Sequence, residues 1–373
     1  MNFEYLSPVH IIFGNGRIKE LGKIAEKHGD RAFVVCGRTA MRKHGCLERI
    51  LGLLKDEGIG CFVFDRVSPN PRSDEVDEAI QEIRAREYNL IIGLGGGSAL
   101  DSAKAISVGI NYDSIREVIG GESLEADMKS LPVITIPTTS GSGAEVTKGA
   151  IITDTKRGLK SGVRGSALFP KVAIVDPELT YTMSRDLTAT TGFDALTHAI
   201  DTYVANHASP LTELLSEEAM GSIYEYLPRA IENGEDREAR EKMALASLMG
   251  GINIVNASTC LPHRLQQAMG SVIDIPHGVG MATLYPAWLK RVSVYRKEKF
   301  DRISEILGSG RRGGDEAVIE FMKRVGVYYN LGSFARREEI GRFLDKVSGN
   351  VENDPIPNID RKTMREIYEE SFR

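Results

Sequence analysis

The sequence predicts two domains of different class, an α/β domain with a parallel, doubly wound sheet followed by an all-helical domain. In the first half of the chain, short apolar runs alternate with helical patterns, which is typical of parallel strands connected by helices. After Pro177 no strand pattern of comparable quality appears, and helical periodicity dominates. A chain of 373 residues is also long enough to form two hydrophobic cores rather than one. We therefore place the domains at residues 1–180 and 181–373.

The individual elements follow from these patterns. The predicted strands are Val9–Phe13, Ala32–Cys36, Cys61–Phe64, Leu90–Leu94, Leu131–Ile136, Ala150–Thr153 and Val172–Val175. The helical patterns of the first domain are Ile18–Lys27, Leu47–Glu57, Ser73–Arg86 and Leu100–Val108. Those of the second domain are Asp186–Tyr203, Pro210–Tyr226, Arg237–Asn253 and Val279–Lys290, with further helix through to Phe372.

Composition excludes several classes of function. Apolar residues make up 42% of the chain and charged residues 27%, which is normal for a globular protein. The net charge of -5 gives no basic surface for nucleic acid. We expect no membrane span, because no apolar run approaches about 18 residues, and no signal peptide at the N-terminus. The four cysteines form no Cys-x-x-Cys pair, so we expect free thiols in a reducing cytoplasm.

A glycine-rich turn stands between a predicted strand and a predicted helix. Gly95, Gly96 and Gly97 lack Cβ atoms, so a pyrophosphate can approach the backbone closely. We expect Ser98 to be the N-cap of the following helix and Asp101 to complete a capping box. The free N–H groups at such a helix start bind anions, which predicts a dinucleotide site. The alternative is a tight turn that only packs the helix on the sheet.

A second polar turn follows the next strand, between Pro137 and Glu145. Thr138, Thr139 and Ser142 contribute hydroxyl groups among glycines at the carboxyl end of a strand, where α/β proteins bind ligands. A solvated loop is the alternative interpretation, but two such turns at neighbouring strand ends support each other.

Four residues of the second domain suggest a metal site. Asp194 and His198 are four residues apart, which places both side chains on one face of a mostly apolar helix. His263 and His277 each follow a proline, at predicted helix starts. One carboxylate and three imidazoles suit a divalent transition ion such as Fe²⁺ or Zn²⁺. Each histidine taken alone is more simply a core residue.

These motifs together resemble those of the iron-containing, or group III, alcohol dehydrogenases over essentially the whole chain. The matching segments are Gly95–Lys104, Pro137–Glu145, Thr191–Ala199 and Ile275–Gly278. The resemblance implies a fold like that of the dehydroquinate synthases, with metal and nicotinamide in a cleft between domains. It implies Asp194, His198, His263 and His277 as metal ligands and catalytic residues, and Fe²⁺ ahead of Zn²⁺. It also implies cofactor contacts from both turns, from Asn70 and from Lys160.

The resemblance further implies an activity, which is hydride transfer between NAD(P)(H) and a small alcohol or aldehyde (or ketone). Many members carry a histidine four residues after the third ligand. Here that position is Gln267, so any proton relay through that histidine is lost. Family members are usually homo-oligomers, and the predicted strand Val9–Phe13 offers a segment for pairing between subunits.

The loop after the second strand bears on the choice of nucleotide. Gly37 and Arg38 lie in it, and it contains no acidic residue that would bind the ribose 2′-hydroxyl and repel a 2′-phosphate. An arginine there can accommodate the phosphate, so the sequence favours NADP(H) over NAD(H).

Two other functions remain as alternatives. A dehydroquinate-synthase-like or glycerol-phosphate dehydrogenase enzyme would share the fold but act on an anionic substrate. Such an enzyme would need extra basic residues near the metal, and Arg264 is the only one inside a ligand motif. A non-catalytic, cofactor-binding protein is the second alternative, and the presence of all four candidate ligands argues against it.

Overall fold

A computed structural model describes residues 2–310 and 313–373. Within these limits the chain forms two compact units. The first, an α/β unit, comprises Ser7–Thr139 and Gly143–Thr182. The second, a helical unit, combines the described residues of Met183–Arg373 with the short segments Met1–Leu6 and Ser140–Ser142.

The α/β unit is built on a six-stranded parallel sheet, in the order β1-β8-β5-β4-β2-β3. The strands of the unit are β1 His10–Phe13, β2 Arg31–Gly37, β3 Gly60–Val67, β4 Leu90–Gly95, β5 Val133–Pro137, β6 Gly149–Asp154, β7 Leu159–Arg164 and β8 Val172–Val175. Three central strands, β4, β5 and β8, are buried at every residue, as expected of a sheet covered on both faces. The predicted parallel, doubly wound sheet is confirmed.

Helices cover both faces of this sheet. They are α1 Leu21–Ala25, α2 Ala40–Lys43, α3 Cys46–Asp56, α4 Ser73–Arg86 and α5 Gly97–Gly109. Since side chains alternate along a strand, Phe33 and Ile91 pack with α4 and α5, whereas Val34 and Ile92 pack with α1 and α3 on the opposite face. The strands β2, β4 and β5 are neighbours, so their carboxyl ends lie at one edge of the sheet.

Strands β6 and β7 form a separate antiparallel hairpin. The sequence predicts β6 but not β7. The turn between them is stabilised by Asp154, whose carboxylate accepts from the backbone N–H groups of Lys156 (2.9 Å) and Arg157 (3.0 Å). Gly158 in this turn has φ +56°, a conformation that favours glycine.

The described part of Met183–Arg373 contains no strand, in agreement with the sequence. Its helices are α6 Arg185–Val204, α7 Pro210–Glu232, α8 Arg237–Ala257, α9 Leu261–Ile273, α10 His277–Val292, α11 Lys297–Ile306, α12 Gly314–Arg324, α13 Ile340–Leu344 and α14 Arg361–Glu370. The Ser184, Ser209 and Asp236 side chains cap α6, α7 and α8 by accepting backbone N–H bonds.

The core of the helical unit contains Phe193, Tyr285 and Trp288, all fully buried. Among the described residues no single helix is long and apolar enough to cross a membrane. One pair, α8 with α9, passes on length and composition only if taken together, and it is bent by 101°.

Candidate metal and cofactor sites

Helix α6 supplies the first two candidate metal ligands. Asp194 and His198 lie one turn apart on it and are about 95% buried. The Oδ1 atom of Asp194 is 3.9 Å from Nε2 of His198. Two polar groups on one buried face of a helix need a common partner, because burial without one is costly.

Helices α9 and α10 supply the other two. His263 lies in the first turn of α9, directly after Pro262, and His277 is the first residue of α10, after Pro276. The His263 ring lies 4.8 Å from the His198 ring and 5.5 Å from the His277 ring, measured between centroids. One ligand atom from each of the four residues, Asp194 included, lies within 4.8 Å of the others. The structure therefore brings the four residues of the sequence prediction together in a group that can hold a metal ion.

Each histidine is oriented by an oxygen atom that faces its Nδ1 atom. Nδ1 of His198 lies 3.1 Å from the carbonyl oxygen of Gly141, and Nδ1 of His277 lies 2.5 Å from Oε1 of Gln266. Nδ1 of His263 lies 2.8 Å from Oδ2 of Asp201. Since these oxygens accept, each Nδ1 donates its proton and each Nε2 keeps its lone pair for a metal.

Two buried atoms at the centre of this group test whether a metal fits. Nε2 of His263 and Oδ1 of Asp194 have no hydrogen-bond partner among the described residues. Nε2 of His277 lies 3.3 Å from the same carboxylate oxygen, but with its proton on Nδ1 it has nothing to donate. These buried acceptor atoms converge with no proton between them. A divalent cation can bind such atoms, so the residues fit a metal ion.

The pKa shifts at the site reflect burial and mutual charge. Burial alone would raise the pKa of Asp194, but the neighbouring His198 and His277 lower it below its ordinary range. Burial lowers the pKa of His263 well below its usual value, and the adjacent histidines lower it further. A carboxylate that stays ionised and an imidazole that stays neutral are the forms that bind a metal.

Sequence reasoning missed the residues that orient the histidines. Gly141, Asp201 and Gln266 were not predicted to take part. Asp201 follows His198 by three residues on the same helix face, so its spacing could have indicated it. Burial raises the pKa of Asp201 to about 7, whereas hydrogen bonds from the Cys260 N–H and the Tyr285 hydroxyl oppose that shift.

The glycine-rich turn connects β4 to α5 as predicted, but the predicted cap is wrong. Helix α5 begins at Gly97, its N-cap is Gly96, and no side chain caps it. The Ser98 hydroxyl donates instead to the carbonyl oxygen of Pro69. The Asp101 carboxylate accepts from the N–H of Ile151 at 2.9 Å and pairs with Lys104. Because no side chain caps this helix, capping does not occupy the backbone N–H groups of its first turn.

The second turn meets the first at the edge of the sheet. The Thr138 N–H donates to the carbonyl oxygen of Gly95 at 3.0 Å. A Cβ atom on Gly96 would lie 3.3 Å from Oγ1 of Thr139, so the two turns are in close contact. Ser142, also predicted to bind the cofactor, belongs to the helical unit.

The remaining predicted cofactor residues lie in the α/β unit. Nζ of Lys160, a buried side chain, lies 2.6 Å from Oδ1 of Asn70. Gly37 ends β2 at an irregularity in the pairing with β3. The side chain of Arg38 is 64% exposed and pairs with Glu75 at 3.2 Å. The sequence did not predict that this arginine would have an acidic partner.

Comparison with known proteins agrees with this geometry. The sequence matches the family model described as iron-containing alcohol dehydrogenase over residues 8–177, and the model of the C-terminal part of that family over residues 188–372. It is 35% identical over 310 residues to the NAD-dependent methanol dehydrogenase of Bacillus methanolicus, covering 83% of this chain and 81% of that one. It is 34% identical over 316 residues to the NADPH-dependent butanol dehydrogenase of Clostridium saccharobutylicum, covering 83% and 79%.

Solved structures give the same result. An archaeal halo-thermophilic alcohol dehydrogenase from a Red Sea brine pool superposes with a TM-score of 0.93 at 27% identity, covering 100% of this chain and 99% of that one. Both family models match, and together they span nearly the whole chain. The alternative of a synthase-like or glycerol-phosphate enzyme is not favoured. The chain belongs to the iron-containing alcohol dehydrogenase family and is an NAD(P)-dependent alcohol dehydrogenase.

Proposed function

We propose that Asp194, His198, His263 and His277 bind one divalent metal ion, with Fe²⁺ favoured and Zn²⁺ as second choice, and that this site oxidises short alcohols or reduces their aldehydes. The observation that carries the proposal is the convergence of four ligand atoms within 4.8 Å of one another, three of them on buried residues. Two of these atoms, Nε2 of His263 and Oδ1 of Asp194, have no hydrogen-bond partner among the described residues. The family supports iron, although nitrogen and oxygen ligands of this kind accept both ions. Relatives named for methanol and butanol support a small alcohol as substrate.

The chemistry divides between the bound groups and the protein. When bound, the ion supplies Lewis acidity toward the alcohol or aldehyde oxygen, and the nicotinamide supplies hydride transfer. The protein contributes orientation, because each imidazole is held through its Nδ1 atom. Asp194 contributes the one negative charge among the four ligands, and its low pKa keeps that charge in place across neutral pH.

We propose that the nucleotide is bound by the α/β unit. The proposed contacts are Gly37, Arg38, Asn70, Gly95, Gly96, Gly97, Ser98, Asp101, Thr138, Thr139, Lys160 and, from the helical unit, Ser142. The contact between the two polar turns and the uncapped start of α5 support a phosphate position there. Asp101 is engaged with Ile151 and Lys104, which supports a role in shaping the turn.

In sequence terms we propose that residues 1–180 form the nucleotide domain and residues 181–373 the metal-binding domain. The two compact units support this division, apart from the short segments Met1–Leu6 and Ser140–Ser142, which group with the helical unit. We further propose a homo-oligomer in the cytoplasm. The position of β1 at an edge of the sheet supports subunit pairing, and four free cysteines support a reducing compartment.

The test of the metal proposal begins with protein purified without oxygen. We expect about one Fe²⁺ or Zn²⁺ per chain, and oxidation of NADPH or NADH with short aldehydes that a chelator abolishes and added metal restores. His263→Ala and His277→Ala should each lose metal and turnover together, because each removes a ligand. An active variant without metal would contradict the proposal.

We propose that NADP(H) is the preferred nucleotide, since the loop after β2 contains Arg38 and no acid. Glu75 holds this arginine, so part of its charge is already balanced. We expect Arg38→Ala to reduce kcat/KM for NADPH by about tenfold, the value of one charge-assisted hydrogen bond, with little effect on NADH. Arg42→Ala is the matched control, because Arg42 is also exposed and pairs with an acid, Asp65, at 2.9 Å. A native preference for NADH would contradict the proposal.

A further inference from the structure

Asp201 is the carboxylate that orients a candidate metal ligand. It lies on α6, seven residues after Asp194 and three after His198, on the same face of the helix. Its side chain is fully buried. Its Oδ2 atom lies 2.8 Å from Nδ1 of His263, a residue of α9. Helix α6 therefore carries two candidate ligands itself. One turn further along, its Asp201 side chain bonds a third candidate ligand, which belongs to α9.

Three donors converge on the two oxygens of this carboxylate. Besides His263, the backbone N–H of Cys260 donates to Oδ2 at 2.8 Å, and the Tyr285 hydroxyl donates to Oδ1 at 2.9 Å. Tyr285 lies on α10, the helix that begins with His277. Each of the three helices that carry a candidate ligand thus makes a hydrogen bond to Asp201 or contains it. The buried carboxylate therefore connects all three of these helices.

The three histidines differ in what orients them. His198 faces a backbone carbonyl and His277 faces a neutral amide, whereas His263 faces a carboxylate. When the Asp201 carboxyl is ionised, its hydrogen bond with His263 is stronger than one to a neutral acceptor and makes the opposite nitrogen of the ring a better electron donor. The Nε2 atom of His263 is also a buried nitrogen that has no hydrogen-bond partner among the described residues.

We propose that Asp201 is a positioning residue of the metal site. It fixes the tautomer and ring orientation of His263, strengthens its Nε2 as a ligand, and through Cys260 and Tyr285 keeps α6, α9 and α10 in the relative positions that the four ligands require. The inference rests on the proposed metal-binding function. The contrasting interpretation is a buried acid that stabilises the fold and leaves metal affinity unchanged.

The experiment measures metal affinity apart from activity. Protein stripped of metal is titrated with Zn²⁺ in competition with a chromogenic chelator, and with Co²⁺ to record the absorption spectrum that reports ligand geometry. Asp201→Asn keeps the shape and removes the charge, and Asp201→Ala removes the acceptor. We expect the Zn²⁺ dissociation constant to rise by about 10–100-fold in both, with an altered Co²⁺ spectrum.

Two further variants keep the test decisive. Asp354→Asn is the matched control, since Asp354 is also buried in the same unit and accepts from Leu261 N–H at 2.9 Å and from Trp288 Nε1 at 2.8 Å, but bonds no histidine. We expect it to lower stability and leave the Zn²⁺ dissociation constant and Co²⁺ spectrum native. Tyr285→Phe removes one hydroxyl from the Asp201 carboxylate and should weaken Zn²⁺ binding by a smaller factor, even if Asp201→Ala does not fold.

The outcomes separate the two proposals. If the native protein binds no metal, the proposed function fails and this inference fails with it. If the native protein binds metal, and Asp201→Asn and Tyr285→Phe bind it with native affinity and spectrum, the inference alone is overturned. Equal weakening by Asp354→Asn would overturn it as well, since the effect would then be one of general stability.

Discussion

Replacing Gly141 by alanine would test whether the backbone of Ser140–Ser142 holds His198. An added Cβ atom would lie 2.7 Å from the carbonyl oxygen of Thr191 on α6 and 2.9 Å from its Cβ. Ordinary contact begins at 3.4 Å, so the segment and the helix must separate by about 0.7 Å in a close-packed interior. The distance from His198 Nδ1 to the Gly141 carbonyl oxygen is 3.1 Å. A shift of the full ~0.7 Å along this bond would lengthen it to about 3.8 Å, beyond hydrogen-bonding range.

The consequence is measurable as metal affinity. Loss of the bond that orients His198 should raise the Zn²⁺ dissociation constant by about 10–100-fold. It should also lower the stability of the metal-free protein by about 1–3 kcal/mol, the cost of a buried polar group left unsatisfied. Both are read by chelator competition and urea unfolding.

Gly221→Ala provides the control for the alanine substitution itself. Gly221 lies within α7, where an added Cβ would meet only Ile306 Cγ2, at 3.9 Å. We expect native Zn²⁺ affinity and a stability equal to or up to about 1 kcal/mol above native. A Gly141→Ala protein with native Zn²⁺ affinity would refute the reasoning.

Three other predictions concern the rest of the molecule. Burial raises the pKa of Glu145 to about 7, so ionisation of this carboxyl destabilises the folded protein. The free energy of unfolding is therefore highest below the pKa of the unfolded state and falls as pH rises through about 7. Glu145→Gln should remove this loss, with a gain over native of up to about 3 kcal/mol at pH 8 in urea unfolding; equal pH profiles would contradict it. A thiol reagent at pH 8 should label exposed Cys61 first and label Cys36 only on unfolding, because burial raises the pKa of Cys36 to about 12. Mass spectrometric mapping of the labelled cysteines checks this order, and early labelling of Cys36 would contradict it. Trp288 donates from Nε1 to Asp354 at 2.8 Å, so Trp288→Phe should cost about 1–3 kcal/mol in urea unfolding, and no loss would show that this bond contributes nothing.

The sequence predicted the α/β unit well where its signals were local. Strand β4 is a continuous apolar run and was predicted within one residue, and α4 was predicted at its observed bounds. Strand β7 was missed because Lys160, Ser161 and Gly162 interrupt any apolar alternation. It is a strand through pairing with β6, and such pairing is a tertiary contact that local periodicity does not report.

The sequence predicted the four candidate metal ligands but not the residues that orient them. Asp194 and His198 could be associated by helical spacing, and His263 and His277 by the prolines before them. What orients these residues is long-range, since Gly141 is 57 residues from the histidine that it faces. The capping prediction at Ser98 failed for a related reason. The motif was present, but Pro69 and Ile151, distant in sequence, provide other partners for its two side chains.

All four candidate ligands, and the oxygens that face their histidines, belong to the helical unit, because Ser140–Ser142 groups with it. The proposed metal site therefore lies within one unit, and the free energy of metal binding there would be linked by mass action to the unfolding of that unit. A chelator should therefore lower the melting temperature of the helical unit. The supply of metal would then set the stability of the helical unit against unfolding.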